Sequence, residues 1–329
     1  MLIWLLLHFA LGLVGTWLAR QYALRRELID HPDERRSHQV PTPRGGGLSI
    51  VIALLIATCV AAWHSPQQIV LIAGFGIGLV LVAGVGMVDD HRPLSPWLRL
   101  VVQAIAASVF ALAVAGAWGD LLAALIAFVA VMVLTNIWNF MDGINGIAAS
   151  QAVLVGAGLA LLLGGIWGWM ALALVAACLG FLPFNFPRAR IFLGDVGSGA
   201  LGFALAGLLV LAWKQSRIPI PLLLLPFFPF LVDATLTLLR RLRRRERWWT
   251  AHAQHAYQRW ASRAGNHTPV TLAYAGWSIA GWLLAWWLAA KTERTMVTGC
   301  AIWLTASAVL WAWLQYSPAN EGSTEKDRK

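Results

Sequence analysis

Residues 69–90 read IVLIAGFGIGLVLVAGVGMVDD, an uncharged stretch that ends in two aspartates. A helix needs about 20 apolar residues to cross the hydrocarbon core of a bilayer. The stretch therefore predicts a membrane-spanning helix that carries Asp89 and Asp90 at a membrane surface. Adjacent carboxylates at that boundary suit divalent-metal binding or proton abstraction, and the alternative is a solvated helix end.

The composition extends this prediction to the whole chain of 329 residues. Hydrophobic residues make up 59%, charged residues only 12%, and the mean hydropathy is +0.67, whereas soluble domains carry about 25% charged residues. We predict an all-α integral membrane protein, with residues 1–316 as one polytopic domain and 317–329 as a disordered polar tail. The eleven predicted transmembrane helices are 2–19, 47–63, 68–88, 100–115, 119–138, 148–165, 166–184, 198–213, 219–239, 268–290 and 296–315.

The distribution of positive charge orients this predicted bundle. If the N-terminus lies outside, most of the 25 Lys and Arg residues lie inside, and those left outside are Lys214, Arg217, Lys291 and Arg294. The positive-inside rule then places the C-terminus and all the motifs below in the cytoplasm. We therefore expect an active site built from cytoplasmic loops.

Two further acids lie in glycine-containing motifs on the same predicted face. Asp142 belongs to NFMDGING, where one helical turn would point Asn139 and Asp142 the same way. Asp195 belongs to FLGDVGSG, at the start of a span. Metal ligation is one interpretation. The alternative is helix capping, by Asp142 or Asn145 for the next helix and by Asp195 for its own.

One acid is predicted to lie deeper in the membrane. Asp233 falls within the ninth span near its cytoplasmic end. Intramembrane acids are functional candidates by default. The alternative is a structural ion pair with Arg240 or Arg241.

Basic segments complete the predicted cytoplasmic face. The arginine run from Arg240 to Arg247 fits an interfacial patch for anionic headgroups. His252 and His255 would share a helix face, and phosphate contact suits them better than a metal site without a third ligand. The glycine-rich loop before the second span fits phosphate binding or a flexible basic loop. Its candidate residues are Arg36, His38 and Arg44.

Acids on this face indicate a divalent cation, and basic groups indicate a phosphate-rich substrate. A magnesium–pyrophosphate donor and a lipid phosphate acceptor would suit it. Two other classes stay open. A proton-coupled transporter or lipid flippase would hold its charges near the midplane, and a structural membrane subunit would need none of them. Nothing in the sequence indicates a nucleic-acid partner.

The ordered set of motifs resembles the polyprenyl-phosphate N-acetylhexosamine-1-phosphate transferases, from Arg35 to about Arg259. The resemblance implies that a UDP-HexNAc donor and undecaprenyl phosphate give undecaprenyl-diphospho-sugar and UMP. It also implies Mg²⁺, with Mn²⁺ as an alternative, and the cytoplasmic face of a bacterial inner membrane. Dimers occur in that family, so the monomer and the homodimer both stay open.

The resemblance also assigns residues. Asp195 matches the principal metal ligand, and Asp89 and Asp90 match the aspartate pair near the metal and the acceptor phosphate. In one family proposal, the first of the pair deprotonates the lipid phosphate. Asp142 matches a residue near the nucleotide and metal, so it joins the expected metal set. The expected substrate-binding residues are Asn139, Asp142, Asn145, His252, His255, Arg36, His38 and Arg44.

Two departures narrow the expected donor. Asn145 stands where many family members carry aspartate, which removes a charge close to the nucleotide. The histidine segment lacks three adjacent histidines, which argues against a MurNAc-pentapeptide donor. The chain is most similar to the O-antigen-initiating branch, whose donors include UDP-GlcNAc and the 6-deoxy sugars UDP-FucNAc and UDP-QuiNAc.

Overall fold

The computed structural model describes residues 1–32, 40–247, 249–250 and 252–317. Over these residues the chain is almost entirely helical, which confirms the predicted all-α membrane class. The helices are α1 (Leu2–Arg25), α2 (Leu48–His64), α3 (Ile69–His91), α4 (Pro96–Trp118), α5 (Leu121–Phe140), α6 (Ile147–Leu162), α7 (Gly165–Asn185), α8 (Gly194–Ser216), α9 (Ile220–Leu224), α10 (Phe228–Arg243), α11 (Ala256–Ala264), α12 (Thr268–Ala289) and α13 (Glu293–Tyr316).

The helices correspond to the predicted spans. In the described part of the chain, 9 helices are long and apolar enough to cross a membrane when α9, α10 and the 3-10 turn between them count as one, and α2 and α6 are shorter apolar helices. Boundaries differ mainly at polar ends. α8 begins at Gly194 rather than at 198, because a carboxylate from α3 accepts hydrogen bonds from its first turn.

Helix α8 is the centre of the bundle. Of the residues in its 18-residue apolar stretch, 94% are buried, as expected for a helix that is hydrophobic on all sides. Helices α3, α5 and α6 pack around it. Gly86 of α3 permits a close approach, since a Cβ there would lie 2.3 Å from the carbonyl oxygen of Asp195. This contact places the end of α3 beside the start of α8.

The ninth predicted span is broken in the structure. Pro226 lies within the 3-10 turn, Leu225–Phe227, that separates α9 from α10, and Pro229 lies in the first turn of α10, as expected because proline lacks the N–H that a helix interior needs. Along α10, Asp233, Thr237 and Arg241 recur every fourth residue and are all buried. Helix α10 therefore turns a polar stripe towards the protein interior.

The first polar loop is anchored beside the start of α8. A two-residue antiparallel pair joins β1 (Ile29–Asp30) to β2 (Thr42–Pro43). The carbonyl of Pro43 accepts a hydrogen bond from the N–H of Phe192 at 2.8 Å, and Gly46 donates back to Phe192 at 2.9 Å. Two predicted site residues of this loop, Arg36 and His38, lie outside the described residues, as does the predicted tail from 318 onwards.

Candidate active site

Arg99, in the first turns of α4, joins three of the predicted polar residues. Its Nη1 donates to Asp89 Oδ2 and to Asp195 Oδ2, both at 2.9 Å, and its Nη2 donates to Asn139 Oδ1 at 3.0 Å. The Asn139 amide in turn donates to Asp195 Oδ1 at 2.8 Å and to Ser198 Oγ at 3.0 Å. Four helices therefore contribute to one cluster of charged and amide groups.

Asp90 has a different role from its neighbour Asp89. It is 4% exposed, and its two carboxylate oxygens accept hydrogen bonds from the backbone N–H groups of Asp195 (3.0 Å) and Val196 (3.1 Å). The first N–H groups of a helix have no partner within the helix, and the Asp90 carboxylate satisfies two of them. Gly194, with φ +77°, lies so close that an added Cβ would come within 2.6 Å of Asp90 Oδ2. Asp90 therefore caps α8 and aims the Asp195 side chain.

Capping of α8 by Asp195, the alternative interpretation from the sequence, is wrong. The side-chain oxygens of Asp195 point to Arg99 and Asn139 instead. Capping of α6 by Asp142 or Asn145 is also wrong, because the N-cap residue is Gly146, without a side-chain cap.

The turn between α5 and α6 carries Asp142 into the same site. Desolvation by burial, together with the neighbouring charges of Asp195 and Asp90, raises the pKa of Asp142 well above its usual value. Asn145 turns away from this site: its side chain donates to the carbonyl of Pro187 at 3.0 Å. Asn145 thus fixes the turn to the segment after α7.

The histidine segment, residues 252–258, closes the opposite side of the site. His252 lies outside any helix and His255 precedes α11, so the two do not share a helix face; their rings are nevertheless adjacent, with centroids 5.0 Å apart. The Tyr257 hydroxyl donates to the carbonyl of Phe140 at 3.0 Å and so ties this segment to the end of α5.

Asp233 contacts the histidine segment rather than the arginines. Its Oδ1 lies 3.5 Å from His255 Nδ1. The predicted alternative, an ion pair with Arg240 or Arg241, is wrong because Arg241 pairs with Glu246 at 3.1 Å and Arg240 donates to Gln315 at 2.6 Å.

Most of these groups line a cavity of about 600 Å³, but Asp89 and Asp233 do not. Arg44 lines it from the first loop, with its Nε 4.0 Å from Asp90 Oδ1. Residues from distant parts of the sequence meet here. The polar lining residues include Asp30, Arg44, Asp90, Arg99, Asn136, Asn139, Asp142, Asn185, Asp195, Thr250, His252, His255, Tyr257 and Gln258.

The carboxylate oxygens of the site are ligands of the kind that a hard divalent cation prefers, but they do not complete its coordination. Oxygens of Asp89 and Asp195 converge on one guanidinium nitrogen of Arg99, so a positive charge already stands between the two carboxylates. Among the residues that the structure describes, no three acidic, histidine or cysteine side chains form a complete metal site. A cation here would keep water or substrate oxygens as further ligands, as Mg²⁺ commonly does.

Comparison with known proteins identifies the family. The profile of glycosyl transferase family 4 matches residues 71–213. A phospho-N-acetylmuramoyl-pentapeptide-transferase of Moorella thermoacetica is 35% identical over 57% of this chain and 67% of its own length. The chain belongs to glycosyl transferase family 4.

Two longer matches support the same assignment. A decaprenyl-phosphate N-acetylglucosaminephosphotransferase of Mycobacterium leprae is 28% identical over 82% of this chain and 78% of its own length. A probable undecaprenyl-phosphate N-acetylglucosaminyl 1-phosphate transferase of Bacillus subtilis is 27% identical over 70% and 68% respectively. The protein is thus a membrane-embedded transferase, and family 4 membership favours an enzyme over a carrier or a structural subunit.

The family 4 match covers one half of the site. Asp89, Arg99, Asn139, Asp142 and Asp195 all fall between residues 71 and 213. Arg44 and the histidine segment lie outside that range, and the fold brings them to the same cavity.

Sequence reasoning missed several polar residues of the cavity, such as Asn136 and Asn185, and above all Arg99. Its position ten residues after Asp89, just inside a new helix with Ser95 as its N-cap, was the available signal.

Proposed function

We propose that this protein transfers a HexNAc-1-phosphate from a UDP-sugar to undecaprenyl phosphate and releases UMP. The observation that carries the proposal is the grouping of Asp142 and Asp195 with Arg44, Arg99 and His255 around one cavity. A diphosphate donor and a phosphate acceptor need cationic contacts, and a divalent cation between them needs carboxylates.

Asp195 and Asp89 would hold the cation, which is Mg²⁺ or, as an alternative, Mn²⁺. Asp142 faces the same cavity and is the third candidate ligand, whereas Asp90 already uses both oxygens to cap α8. A bound Mg²⁺ would neutralise the phosphate oxygens while the phosphoanhydride breaks. Cation binding would free Arg99 from its two carboxylates, and its guanidinium would then contact a substrate phosphate.

The chemical step is an in-line displacement. An oxygen of the lipid phosphate forms a new bond to the β-phosphorus of the donor, the bond between the β-phosphorus and the bridging oxygen breaks, and UMP leaves. A phosphate monoester has its second pKa near 6, so the acceptor is largely ionised at neutral pH. Positioning by Arg99 and Asn139 and charge neutralisation are therefore sufficient, without a dedicated base.

A base role for Asp89 makes a different prediction. Oδ1 of Asp89 accepts from the N–H of Leu94 at 2.6 Å, and Oδ2 accepts from Arg99, so both oxygens already serve as acceptors in the cluster. If Asp89 removed the acceptor proton, the rate defect of Asp89→Asn would disappear at high pH. We expect the defect to persist.

The His252–His255 pair and Arg44 would contact the phosphates of the donor from the two sides of the cavity. Two relatives are named for N-acetylglucosamine transfer, which supports UDP-GlcNAc as donor beside UDP-FucNAc and UDP-QuiNAc. We further propose that the cavity faces the cytoplasm in a bacterial inner membrane, with the N-terminus outside, and that the product initiates O-antigen or a related envelope glycan.

Turnover by purified protein in detergent tests the proposal. Undecaprenyl phosphate and decaprenyl phosphate would be offered with each UDP-HexNAc, with and without Mg²⁺, beside an Asp195→Asn variant. Release that requires lipid, cation and Asp195 supports the proposal and ranks the donors. Release that is unchanged by Asp195→Asn or by a chelator contradicts the assigned site.

A further inference from the structure

Asp233 is a buried acid in α10 that the proposed chemistry does not use. It is 2% exposed, and hydrogen bonds reach both of its oxygens. Oδ1 accepts from the N–H of Ala256 at 2.9 Å and from the Thr237 hydroxyl at 3.2 Å. Oδ2 accepts from the N–H of Tyr257 at 3.0 Å and from the Tyr274 hydroxyl at 2.7 Å. Four donors therefore fix the orientation of this carboxylate.

Two of these donors belong to the first turn of α11. A carboxylate there stabilises the helix N-terminus by satisfying N–H groups that have no partner within the helix. Asp233 thus ties α11 to α10, and it fixes the position at which the histidine segment enters α11. A helix cap alone would account for these two contacts.

The contact with His255 goes beyond a cap. Nδ1 of His255 is buried without a hydrogen-bond partner, and the carboxylate oxygen Oδ1 of Asp233 lies 3.5 Å from it. The imidazole is also held between aromatic rings, with Phe140 at 6.2 Å and Tyr257 at 5.7 Å between centroids and 26° between planes in each case. The ring therefore has one defined orientation.

A carboxylate beside one ring nitrogen of a histidine keeps a proton on that nitrogen and fixes the orientation of the ring. It also stabilises the doubly protonated ring, in which the other nitrogen carries a proton and donates a hydrogen bond. Here Asp233 faces Nδ1, and His255 lines the cavity. The nitrogen left for a bound group is Nε2.

We propose that Asp233 is a positioning residue that acts through His255: it holds Nδ1–H and the ring orientation so that Nε2–H of the protonated ring donates to a phosphate of the donor. This inference rests on the proposed function, in which His255 contacts the donor. It assigns Asp233 to substrate binding without direct contact between its carboxylate and the substrate.

A double-mutant cycle separates this role from a purely structural one. The variants are Asp233→Asn, which keeps an acceptor oxygen, His255→Asn, and the combination of both. Loss of a carboxylate that orients a ligating histidine typically costs about 10–100-fold in activity. If Asp233 acts through His255, each single change lowers the same kinetic parameter for the UDP-sugar, and the double variant is no slower than His255→Asn.

Tyr274→Phe is the matched control. It removes a donor to Oδ2, the oxygen that does not face His255. We expect it to lower thermal stability while leaving kcat/KM for the donor within about threefold of the unaltered protein, because one neutral hydrogen bond contributes modestly and Oδ1, which faces His255, keeps its donors Ala256 and Thr237. Tryptophan fluorescence on heating would verify that each variant is folded. If Asp233→Asn does not fold, Asp233→Glu takes its place in the cycle, with the same expectation of non-additive losses.

The outcomes distinguish the inference from the function beneath it. Losses that multiply in the double variant would overturn the positioning role, while lipid-dependent UMP release by the unaltered protein would still support the transferase. Wild-type turnover by His255→Asn would overturn the role of both residues. No release by the unaltered protein with any donor would overturn the proposed function and this inference with it.

Discussion

Replacement of Arg99 by methionine tests, in a single change, whether a divalent cation binds between Asp89 and Asp195. Arg99 places one nitrogen 2.9 Å from both Asp89 and Asp195, and its side chain is only 25% exposed. Removal of one partner from a largely buried ion pair costs about 3 kcal/mol, because the remaining charges lose their compensation. Arg99→Met should therefore lower the free energy of unfolding by about 3 kcal/mol when divalent cations are absent.

The same substitution should increase the stabilisation that Mg²⁺ provides. At about 100 times its dissociation constant, a ligand that binds only the folded state adds about 2.7 kcal/mol, which nearly offsets the loss. At ~2–4 °C per kcal/mol, Arg99→Met would melt roughly 6–12 °C lower in a chelator, and excess Mg²⁺ would restore most of the difference. In the unaltered protein the shift with Mg²⁺ should be smaller, since the cation must displace a guanidinium.

Thermal unfolding in detergent, followed by tryptophan fluorescence with and without Mg²⁺, measures both effects. Arg92→Met is the matched control, because Arg92 follows α3 and is exposed; it should leave both melting temperatures unchanged. A loss of stability in Arg99→Met that is equal with and without Mg²⁺ would refute the placement of the cation between Asp89 and Asp195.

Three further predictions concern Asp142, Asp90 and Gln315. The pKa of Asp142 is raised in the folded protein, so its ionisation destabilises the fold as the pH rises, and this effect vanishes below the unfolded pKa near 3.8. Asp142→Asn should therefore raise the melting temperature of metal-free protein in mildly alkaline but not in strongly acidic buffer. An equal shift at both pH values would contradict this. Asp90→Asn should lower the free energy of unfolding by about 1–2 kcal/mol, since it weakens the cap on α8, and chemical denaturation would measure the loss. Gln315→Leu should cost about 1–3 kcal/mol, because it removes the Oε1 that accepts from Arg240 and Arg259 and the amide that donates to the carbonyl of Gln254; faster proteolysis near Gln254 is expected, and unchanged proteolysis would contradict a role of α13 in holding this segment.

The membrane class could be predicted from sequence because spans of about 20 apolar residues have few alternatives to membrane-spanning helices. The grouping of Asn139, Asp142 and Asp195 could also be predicted, since these motifs follow spans that end on one side. Tertiary partners could not. Arg99 was unremarkable in sequence, and only the packing of α4 beside α3 places it between two carboxylates.

The roles of individual side chains within the motifs also could not be predicted from the sequence. Asp89 and Asp90 are adjacent, but successive residues of a helix point in different directions. The Asp89 carboxylate therefore contacts Arg99, whereas the Asp90 carboxylate contacts the N-terminus of α8. The partner of Asp233 was predicted among residues nearby in sequence, whereas the structure pairs it with His255, beyond the arginine run. Helix α11 was missed because its 9 residues form a short amphipathic helix, which a search for apolar spans of about 20 residues does not detect.

The nucleotide that leaves the donor tests the central claim most directly. Purified protein would be incubated with undecaprenyl phosphate, Mg²⁺ and UDP-GlcNAc, with UDP-FucNAc and UDP-QuiNAc in parallel. UMP and UDP would be quantified beside the mass of the lipid product. The account predicts UMP in equal amount to a lipid that has gained both a sugar and a phosphate. Release of UDP, with a lipid that has gained the sugar alone, would contradict it.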